Sequence, residues 1–236
     1  MARKTRTEAD RTRRVLLDSA LELFRRQGVV HTTLNQIAAN AGMTRGAVYW
    51  HFRNKEEIIL ALWALHLFPL SRHYRDSLRA LDPEHPARHF RTILSAAFSD
   101  ILGSRELGLT VRILLRSVEF SERQTELQRV SLEERQSLYW VLVGALEYLR
   151  GRGYVRTGLP VEILAGGVLS YLHGLLDLNL SVDSPVCLVN DIPRLLDLFL
   201  DGILRPEPEG GASDRAPVSP DATVESPSHP HVRKRQ

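Results

Sequence analysis

The chain has 236 residues, of which 43% are hydrophobic and 25% are charged. This balance is that of a globular protein and excludes a chain that is disordered throughout. A single cysteine, Cys187, excludes an intrachain disulfide, and no apolar segment follows the basic N-terminus as a secretion signal requires, so a cytoplasmic protein is expected.

Positive charge is concentrated at the N-terminal end. Residues 1–55 contain 11 lysines and arginines against 4 aspartates and glutamates, whereas residues 56–204 contain 15 against 19. A basic head on a mildly acidic body indicates an anionic partner for the head. The basic arm at residues 1–7 either reaches a DNA minor groove or stays in solvent.

Helical periodicity divides residues 8–81 into four helices. Their predicted ranges are about 8–27, 33–41, 45–51 and 54–81. Gly28 lies just past the first helix, where glycine adopts the left-handed conformation at low cost, and Gly42 breaks the second. The last three helices have polar side chains with cap spacing at their starts, namely Thr33 with Gln36, Thr44, and Asn54 with Glu57. Pro69 predicts a kink in the fourth helix.

The rest of the chain is predicted to be helical up to residue 204. The expected helices cover about 90–101, 107–115, 123–150, 160–180 and 187–204, which gives an all-α fold with about nine helices. The apolar run from Val161 to Leu180 contains Glu162, His173 and Asp177, so it is expected to be a buried helix and not a membrane span. Residues 205–236 carry 6 of the 12 prolines of the chain and are expected to be disordered.

Residues 33–52 have the spacing of two short helices joined by a glycine-containing turn, which is the geometry of a helix-turn-helix. Val48 and Phe52 are four residues apart on the third helix and are expected to face inward. The opposite face then carries Arg45, Gly46, Ala47, Tyr49, Trp50 and His51. The two small residues allow the helix to approach the floor of a DNA groove closely.

The side chains on this face suit contacts with DNA. Arg45 can reach guanine edges or a phosphate, and Tyr49 and His51 can donate hydrogen bonds to phosphates. Lys55, at the start of the fourth helix, adds a cation where the helix dipole already favours a phosphate. These properties indicate double-stranded DNA as the anionic partner.

The segment "VLLDSALELFRRQGVVHTTLNQIAANAGMTRGAVYWHFRNKEEII" resembles the DNA-binding region of TetR/AcrR family repressors. The shared features are F-x-x-x-G, T-T-L-x-x-I-A-x-x-A-G, T-R-G-A-V-Y-W-H-F and N-K-E-E. The start "MARKT" and the wording "TRGAVYWHF" are most similar to the branch that represses multidrug efflux pumps. The resemblance covers residues 10–60, and beyond them only helical layout and length agree.

This resemblance implies an all-helical homodimer that binds a palindromic operator through its third helix. The residues to which it assigns base reading in the major groove are Thr44, Arg45, Gly46, Tyr49 and His51. Thr33 and Lys55 become phosphate contacts, and Trp50 either contacts the DNA backbone or packs locally. The expected parts are a helix-turn-helix DNA-binding domain at 1–54, a helical ligand-binding and dimerisation domain at 55–205, and a proline-rich tail at 206–236.

The resemblance also implies a variable ligand pocket in the C-terminal domain. The apolar and aromatic candidates on inner helix faces are Trp63, His66, Leu67, Leu94, Phe98, Phe120, Trp140 and Tyr171. Each of them is alternatively an ordinary core residue. Glu119 and Asp177 are acidic within apolar runs, and they either supply a counter-charge for a cationic drug or face solvent.

The two helices that begin at Pro160 and Cys187 are apolar over more than one stripe, which a monomer would leave exposed. They are therefore predicted to pair with their copies across a two-fold axis as a four-helix interface. The expected contacts are Leu169, Leu172, Leu176, Leu195, Leu198 and Phe199.

No catalytic or metal-binding motif occurs in the sequence. His85 and His89 are four residues apart, but Pro86 between them marks a helix start, so structural or surface roles are expected. No cofactor, metal, membrane partner or enzymatic activity is predicted.

The favoured function is a ligand-responsive, dimeric repressor that controls a multidrug efflux operon and is released by hydrophobic, often cationic compounds. The alternatives are a constitutive or global DNA-binding regulator without an inducer, and an all-helical enzyme.

Overall fold

A computed structural model describes residues 2–117, 125–180 and 190–207 of the chain. The helices are α1 (Ala2–Gln27), α2 (Leu34–Asn40), α3 (Arg45–His51), α4 (Lys55–Leu62), a π-helical segment (Trp63–Leu67), α5 (Phe68–Arg79), α6 (Pro86–Gly103), α7 (Arg105–Ser117), α8 (Glu126–Gly151), α9 (Val161–Leu180) and α10 (Ile192–Ile203). The only β-pairing within these ranges is an isolated antiparallel bridge between Val155 and Leu204. The all-α prediction is confirmed, and the expected nine helices result if α4, the π-helical segment and α5 are counted as one.

The first helix is longer at its N-terminus than the sequence predicted. It begins at Ala2 instead of Glu8, so the basic arm at residues 2–7 is helical and continuous with α1. This segment contains neither glycine nor proline, and nothing in it stops the helix. The other end is as predicted, with Gly28 at a φ of 79°.

Helix-end contacts predicted from the sequence fix the turns around α2, α3 and α4. Thr33 and Gln36 form the expected capping box at the start of α2. Gly42 has a φ of 66°, which lets the chain leave α2, and the next N–H, of Met43, donates to Ala38 O at 2.8 Å. Asn54 accepts a hydrogen bond from the N–H of Glu57 at the start of α4.

Two apolar clusters form the interior. The head cluster consists of the buried apolar residues of α1 to α4, together with Leu109 and Ile113 of α7 and Leu127 of α8. The body cluster joins the end of α5 to α6, α9, α10 and the second half of α8. The helices α7 and α8 therefore contribute to the same core as α1 to α4. The division at residue 54 stays a prediction, although the buried residues of α4 pack with the head cluster.

A π-helical segment interrupts the continuous helix that α4 and α5 would otherwise form. The N–H of Phe68 donates to Trp63 O, five residues earlier, instead of to the carbonyl four residues earlier. Pro69 follows at once in the first turn of α5. Proline has no N–H to donate, so the α-helical ladder cannot run unbroken through this point. The irregularity lies where the sequence predicted a kink.

The C-terminal helices depart from prediction mainly at their starts. Residues 118–124 lie outside the described ranges, and α8 is described from its N-cap, Thr125. The last helix begins at Ile192 and not at Cys187, because Pro193 is tolerated in the first turn of a helix and not in its interior. Cys187 and the tail at 208–236 lie outside the described residues.

Within the part of the chain that the structure describes, α9 is the one helix long and apolar enough to cross a membrane by length and composition, and 33% of the tested window is buried. A core helix of a soluble protein meets the same test. Its buried side chains lie on one stripe and pack into the body cluster, namely Val161, Leu164, Ala165, Val168, Leu172 and Leu175.

Candidate nucleic-acid interface

Apolar contacts hold α3 in the head cluster, and polar contacts fix α2, its neighbour, on α1. Val48 is fully buried and Phe52 is 2% exposed in the head cluster, as the sequence predicted. Ser19 of α1 donates through Oγ to Ile37 O at 2.8 Å, and Asn40 Nδ2 donates to the same Oγ at 3.0 Å. These contacts fix α2 on α1, so the outward face of α3 has a defined direction.

The opposite face of α3 is open to solvent. Arg45 and Gly46 are exposed, Tyr49 is 45% exposed, and Trp50 is 74% exposed. The Arg45 guanidinium carbon lies 5.4 Å from the centre of the Tyr49 ring, which orients the cation along the helix face. A Cβ added at Gly46 would meet only Thr44 Oγ1, at 3.9 Å, so no packing inside the chain requires glycine there.

The two threonines predicted to contact DNA are helix caps. Thr33 Oγ1 accepts from the Gln36 N–H at 3.2 Å, and Thr44 Oγ1 accepts from the Ala47 N–H at 3.3 Å. Both are exposed, so capping leaves them at the surface beside the start of a helix. Their contacts with DNA remain predictions.

His51, at the end of α3, is partly buried beside α1. Its ring packs edge-on against Trp50, with centroids 4.5 Å apart. Burial lowers the pKa of His51, and Arg13 lowers it further, whereas Asp10 acts in the opposite direction. The imidazole is therefore neutral at pH 7 in the free protein and has a proton to gain near a phosphate.

Lys55 has partners inside the chain that the sequence did not indicate. Its Nζ donates to Val29 O at 2.7 Å and to Val30 O at 3.2 Å, in the turn between α1 and α2. An ammonium group has three protons, so these bonds leave one for a phosphate. The predicted phosphate contact remains a prediction, and the structural role is a new finding.

Two further arginines lie beside this face but were given no role in the predicted set. Arg53 follows α3 and has 90% of its side chain exposed. Arg13 of α1 lies with its guanidinium carbon 5.3 Å from the centre of the Phe52 ring. Positive charge in the sequence signalled both. Arg53 adjoins α3 in the chain, whereas the position of Arg13 beside α3 depends on how α1 packs.

The residues named as candidates for the ligand pocket differ in how deeply they are buried. Trp63, His66 and Leu67 are half-buried in the π-helical segment, and Leu94 and Phe98 are buried in the body cluster. Glu119 and Phe120 lie outside the described residues. Leu94 and Phe98 therefore match the alternative of ordinary core residues, and the assignment of the other described candidates to a ligand pocket stays a prediction.

Three of the predicted pocket residues face elsewhere. Trp140 is 63% exposed, because it lies at the edge of the buried stripe that contains Val141 and Ala145. Asp177 is exposed, about half a turn around α9 from the buried Leu175. Tyr171 packs on α10, where its hydroxyl donates to Leu195 O at 2.8 Å.

A groove of about 550 Å³ lies between the end of α5 and α8. Of the predicted pocket set it contains only Trp140, and Tyr148 forms another part of its wall. A second surface cavity of about 430 Å³, between α6 and α10, contains none of the set. Among the described residues, Trp140 is therefore the one assigned to ligand binding that lines either of these two cavities.

One histidine in the predicted pocket set has an unusual environment. His66 Nε2 is buried and has no hydrogen-bond partner. Burial lowers the pKa of this imidazole, Arg14 lowers it further, and Glu106 and Asp18 raise it. His66 therefore lies where the π-helical segment meets α1 and α7.

His85 and His89 have structural partners, since His85 pairs with Glu207 and His89 Nδ1 accepts from the Asp82 N–H.

Most residues predicted for dimerisation lie partly open on α9 and α10. Leu198 is 74% exposed, while Leu169, Leu176, Leu195 and Phe199 are half-buried. Leu172 is the exception, being 8% exposed on the buried stripe of α9, so it belongs to the protomer's own core. Ile163 and Leu178, which the sequence analysis did not select, are 58% and 46% exposed.

Comparison with known sequences identifies relatives along most of the chain. The profile described as "Bacterial regulatory proteins, tetR family" matches residues 16–62, from α1 to the end of α4. The probable HTH-type transcriptional regulator ArpR of Pseudomonas putida is 31% identical over 202 residues, 85% of this chain and 95% of ArpR. The HTH-type transcriptional regulator TtgR, also of Pseudomonas putida, matches with the same identity and coverage. These relatives are transcriptional regulators and not enzymes, in agreement with the prediction made from the sequence.

Solved structures agree with these relatives. NalD, the secondary repressor of the MexAB-OprM multidrug efflux pump in Pseudomonas aeruginosa, superposes with a TM-score of 0.73 at 27% identity, covering 84% of this chain and 98% of NalD. The SmeT–triclosan complex gives a TM-score of 0.69 at 28% identity, with 85% and 99% covered. SmeT is the repressor of the Stenotrophomonas maltophilia multidrug efflux pump SmeDEF. This chain therefore belongs to the TetR family of bacterial regulatory proteins and is related to repressors of multidrug efflux pumps.

Proposed function

We propose that this protein is a cytoplasmic repressor that binds a palindromic operator as a homodimer, controls a multidrug efflux operon and is released by hydrophobic compounds. The observation that carries the proposal is the exposed face of α3. Arg45, Tyr49 and Trp50 project from a helix whose other side is fully packed. Such a face suits the major groove, where arginine reads guanine and aromatic residues contact the backbone or thymine methyl groups.

Relatives support efflux control as the biological role. NalD and SmeT are each repressors of a multidrug efflux pump, and each is covered almost completely by this chain. The likeness extends well beyond the DNA-binding helices into the body of the molecule. The regulated genes of this protein are therefore proposed to be of the same class.

The outer face of α9 supports a homodimer. Gly167 and Gly174 are exposed in the middle of this helix, where each glycine costs about 1 kcal/mol relative to alanine. Neither has a positive φ, and an added Cβ would meet nothing within 4 Å at Gly174 and only Phe199 Cζ, at 4.0 Å, at Gly167. Packing within the protomer therefore does not require these glycines. Close approach of a second copy explains them, and Leu198 and Ile163 supply apolar surface on the same pair of helices.

The ligand is proposed to be hydrophobic, and the preference for cations has less support. SmeT has been solved in complex with triclosan, a chlorinated phenol. In this chain Asp177 is exposed and Glu119 lies outside the described residues, so a buried counter-charge has no support from the described residues. The alternative is a constitutive or global regulator without an inducer.

Binding-site selection from a random duplex pool tests the DNA part of the proposal. A repressor enriches one palindrome, and its affinity falls steeply with salt because bound cations are released from DNA. Arg45→Ala should weaken binding to the selected site by about 1–3 kcal/mol and binding to scrambled DNA much less. Arg72→Ala is the matched control, since Arg72 is an exposed cation paired with Asp76 on α5. Equal affinities for Arg45→Ala and wild type on both DNAs would remove Arg45 from the interface.

Titration of the operator complex with triclosan and with a cationic dye tests ligand release. Release by either compound, with no effect on a control complex of an unrelated repressor, supports an inducible repressor. Release by the dye alone would restore the cationic preference. An operator complex that withstands every hydrophobic compound in a broad panel would favour the constitutive regulator.

A further inference from the structure

The start of α8 is capped by a carboxylate from α4, in the DNA-binding half. The N–H of Leu127 donates to Glu56 Oε1 at 2.8 Å, although the two residues are 71 positions apart in the chain. Thr125 and Gln128 form a capping box at the same end, so Glu56 accepts from an additional first-turn donor. The helix dipole favours a negative charge at this place.

Glu56 is not needed to cap its own helix. Asn54 Oδ1 accepts from the Glu57 N–H at 2.9 Å, and Glu57 Oε2 accepts from the Arg53 N–H at 2.8 Å. These two bonds hold the start of α4 without Glu56. The Glu56 carboxylate is therefore available for α8.

The preceding residue, Lys55, holds a different segment. Its Nζ binds the carbonyls of Val29 and Val30 in the turn between α1 and α2. Thr33, the N-cap of α2, follows this turn within a few residues. Neighbouring residues on a helix point about 100° apart, so Lys55 and Glu56 reach two separate segments from one turn of α4.

The helix α8 joins this point to the body of the protein. Leu127 is 5% exposed and packs in the head cluster, whereas Val141 and Leu149 of the same helix pack in the body cluster. The helix has 26 residues, which corresponds to about 39 Å. A helix packed at both ends moves largely as one element, so a displacement in the body reaches Leu127.

We infer that Glu56 is a positioning residue that, with Lys55, connects the start of α8 to the α1–α2 turn and so sets the placement of α2 and α3. Its use in regulation rests on the proposed function, but the connection is a property of the ligand-free chain. The helices that contain the body cluster then act on the DNA-binding helices α1 to α4 along two routes. The first is the covalent chain through the π-helical segment, and the second is the hydrogen bond from the start of α8 to Glu56. Both converge on residues 55 and 56.

Amide hydrogen exchange of the ligand-free, full-length chain tests the connection without DNA or ligand. The Leu127 amide reports the cap, and the Thr32 amide reports the turn, because it donates to Val29 O at 3.3 Å. In Glu56→Ala the Leu127 amide should exchange roughly tenfold faster, as loss of a hydrogen bond to a charged acceptor implies. The Thr32 amide should also exchange several-fold faster. Faster exchange at Leu127 with unchanged exchange at Thr32 would reduce Glu56 to a cap and overturn the inference.

Three further variants make this result specific. Glu56→Gln keeps an acceptor oxygen and should return both rates toward wild type. Glu126→Ala, the matched control, removes a carboxylate from the same turn of α8, where Glu126 pairs with Arg129, and should leave Thr32 unchanged. If Glu56→Ala does not fold, Glu56→Asp gives the same test, because it keeps the charge but shortens the side chain by one methylene. A glutamine variant with the Thr32 exchange rate of the alanine variant would contradict the role of the hydrogen bond.

A double-mutant cycle with Lys55→Met tests whether the two residues act together. If they form one connection, Lys55→Met alone should accelerate Thr32 exchange, and adding Glu56→Ala should cause little further change. Multiplicative effects of the two mutations would show two independent contacts and overturn the inference.

The regulatory consequence is measured with triclosan as the probe. The factor by which triclosan weakens the operator complex should fall several-fold in Glu56→Ala, from wild-type coupling that is typically about 5–150-fold, and should not change in Glu126→Ala. Unchanged coupling in Glu56→Ala would show that the covalent route suffices. If wild type binds neither DNA nor triclosan, the proposed function fails, while the exchange measurements still decide the connection.

Discussion

Replacing Leu198 with alanine tests the dimer surface proposed on α9 and α10. The Leu198 side chain is 74% exposed in the protomer, so the change should leave the free energy of unfolding of the protomer within about 0.5 kcal/mol. Removing a leucine side chain from water contributes about 2 kcal/mol. Because a two-fold axis repeats the change, the dimer should lose about 4 kcal/mol, a roughly thousandfold higher dissociation constant.

Sedimentation velocity over a dilution series measures this dissociation constant, and thermal unfolding of each variant checks that the protomer is intact. Leu132→Ala is the matched control, because Leu132 is 42% exposed on α8 and not on the proposed surface. Its dissociation constant should equal that of wild type. An unchanged dissociation constant in Leu198→Ala, or a wild-type chain that is monomeric at every concentration, would refute the assignment of this surface.

Three other outcomes follow from named contacts. Gly174→Leu should leave the protomer folded, because nothing in the protomer lies within 4 Å of an added Cβ, but it should prevent dimerisation. A stable dimer of this variant in sedimentation would contradict the close approach of the two α9 backbones. Glu134→Gln should lower the free energy of unfolding, measured in urea, by about 2–3 kcal/mol. The reason is that the Arg75 side chain, which is 9% exposed, loses its ionic partner. The control Glu133→Gln changes an exposed carboxylate and should lower the free energy of unfolding by less than about 0.5 kcal/mol. Burial lowers the pKa of His51 below its usual 6.5, and a phosphate contact would raise this pKa again. Operator affinity should therefore increase as pH falls through 6.5 toward the lowered pKa of the free protein. His51→Gln should show no such increase, and parallel pH profiles of the two proteins would exclude the contact.

The features that were predicted correctly from the sequence depend on neighbours in the chain. The capping box joins Thr33 and Gln36, which are three positions apart, and the left-handed Gly28 follows directly on the helix that it ends. The inward orientation of Val48 and Phe52 follows from helical spacing alone. Together these local signals are sufficient to define a helix-turn-helix.

The orientation of the long C-terminal helices could not be predicted in the same way. Each of them carries apolar residues on more than one stripe, so the sequence permits several rotations about the helix axis. Trp140 and Asp177 were expected to face a pocket, and a rotation of α8 or α9 by about one residue decides whether they do. Leu172 was expected at the dimer surface for the same reason and is buried in the protomer.

Contacts between distant segments were equally hidden. The side chain of Lys55 reaches a turn about 25 residues earlier, and that of Glu56 reaches a helix 71 residues later. The sequence motif N-K-E-E predicts a helix start at this place, and it contains no information about the partners of its middle two residues. Those partners depend on the tertiary arrangement of α1, α4 and α8.

The composition of the head cluster limits how this protein can be recombined with its relatives. A chimaera that joins residues 1–62 to the sensor half of another family member would replace Leu109, Ile113 and Leu127, which fill the interior of the DNA-binding half. The foreign side chains would leave voids or overlaps beside α1 and α4, and such mismatches cost roughly 1–5 kcal/mol each. A functional exchange must therefore also transplant α7 and the first turns of α8. The residues that must be exchanged together come from separate segments of the chain, so a chimaera with a single junction cannot keep them together.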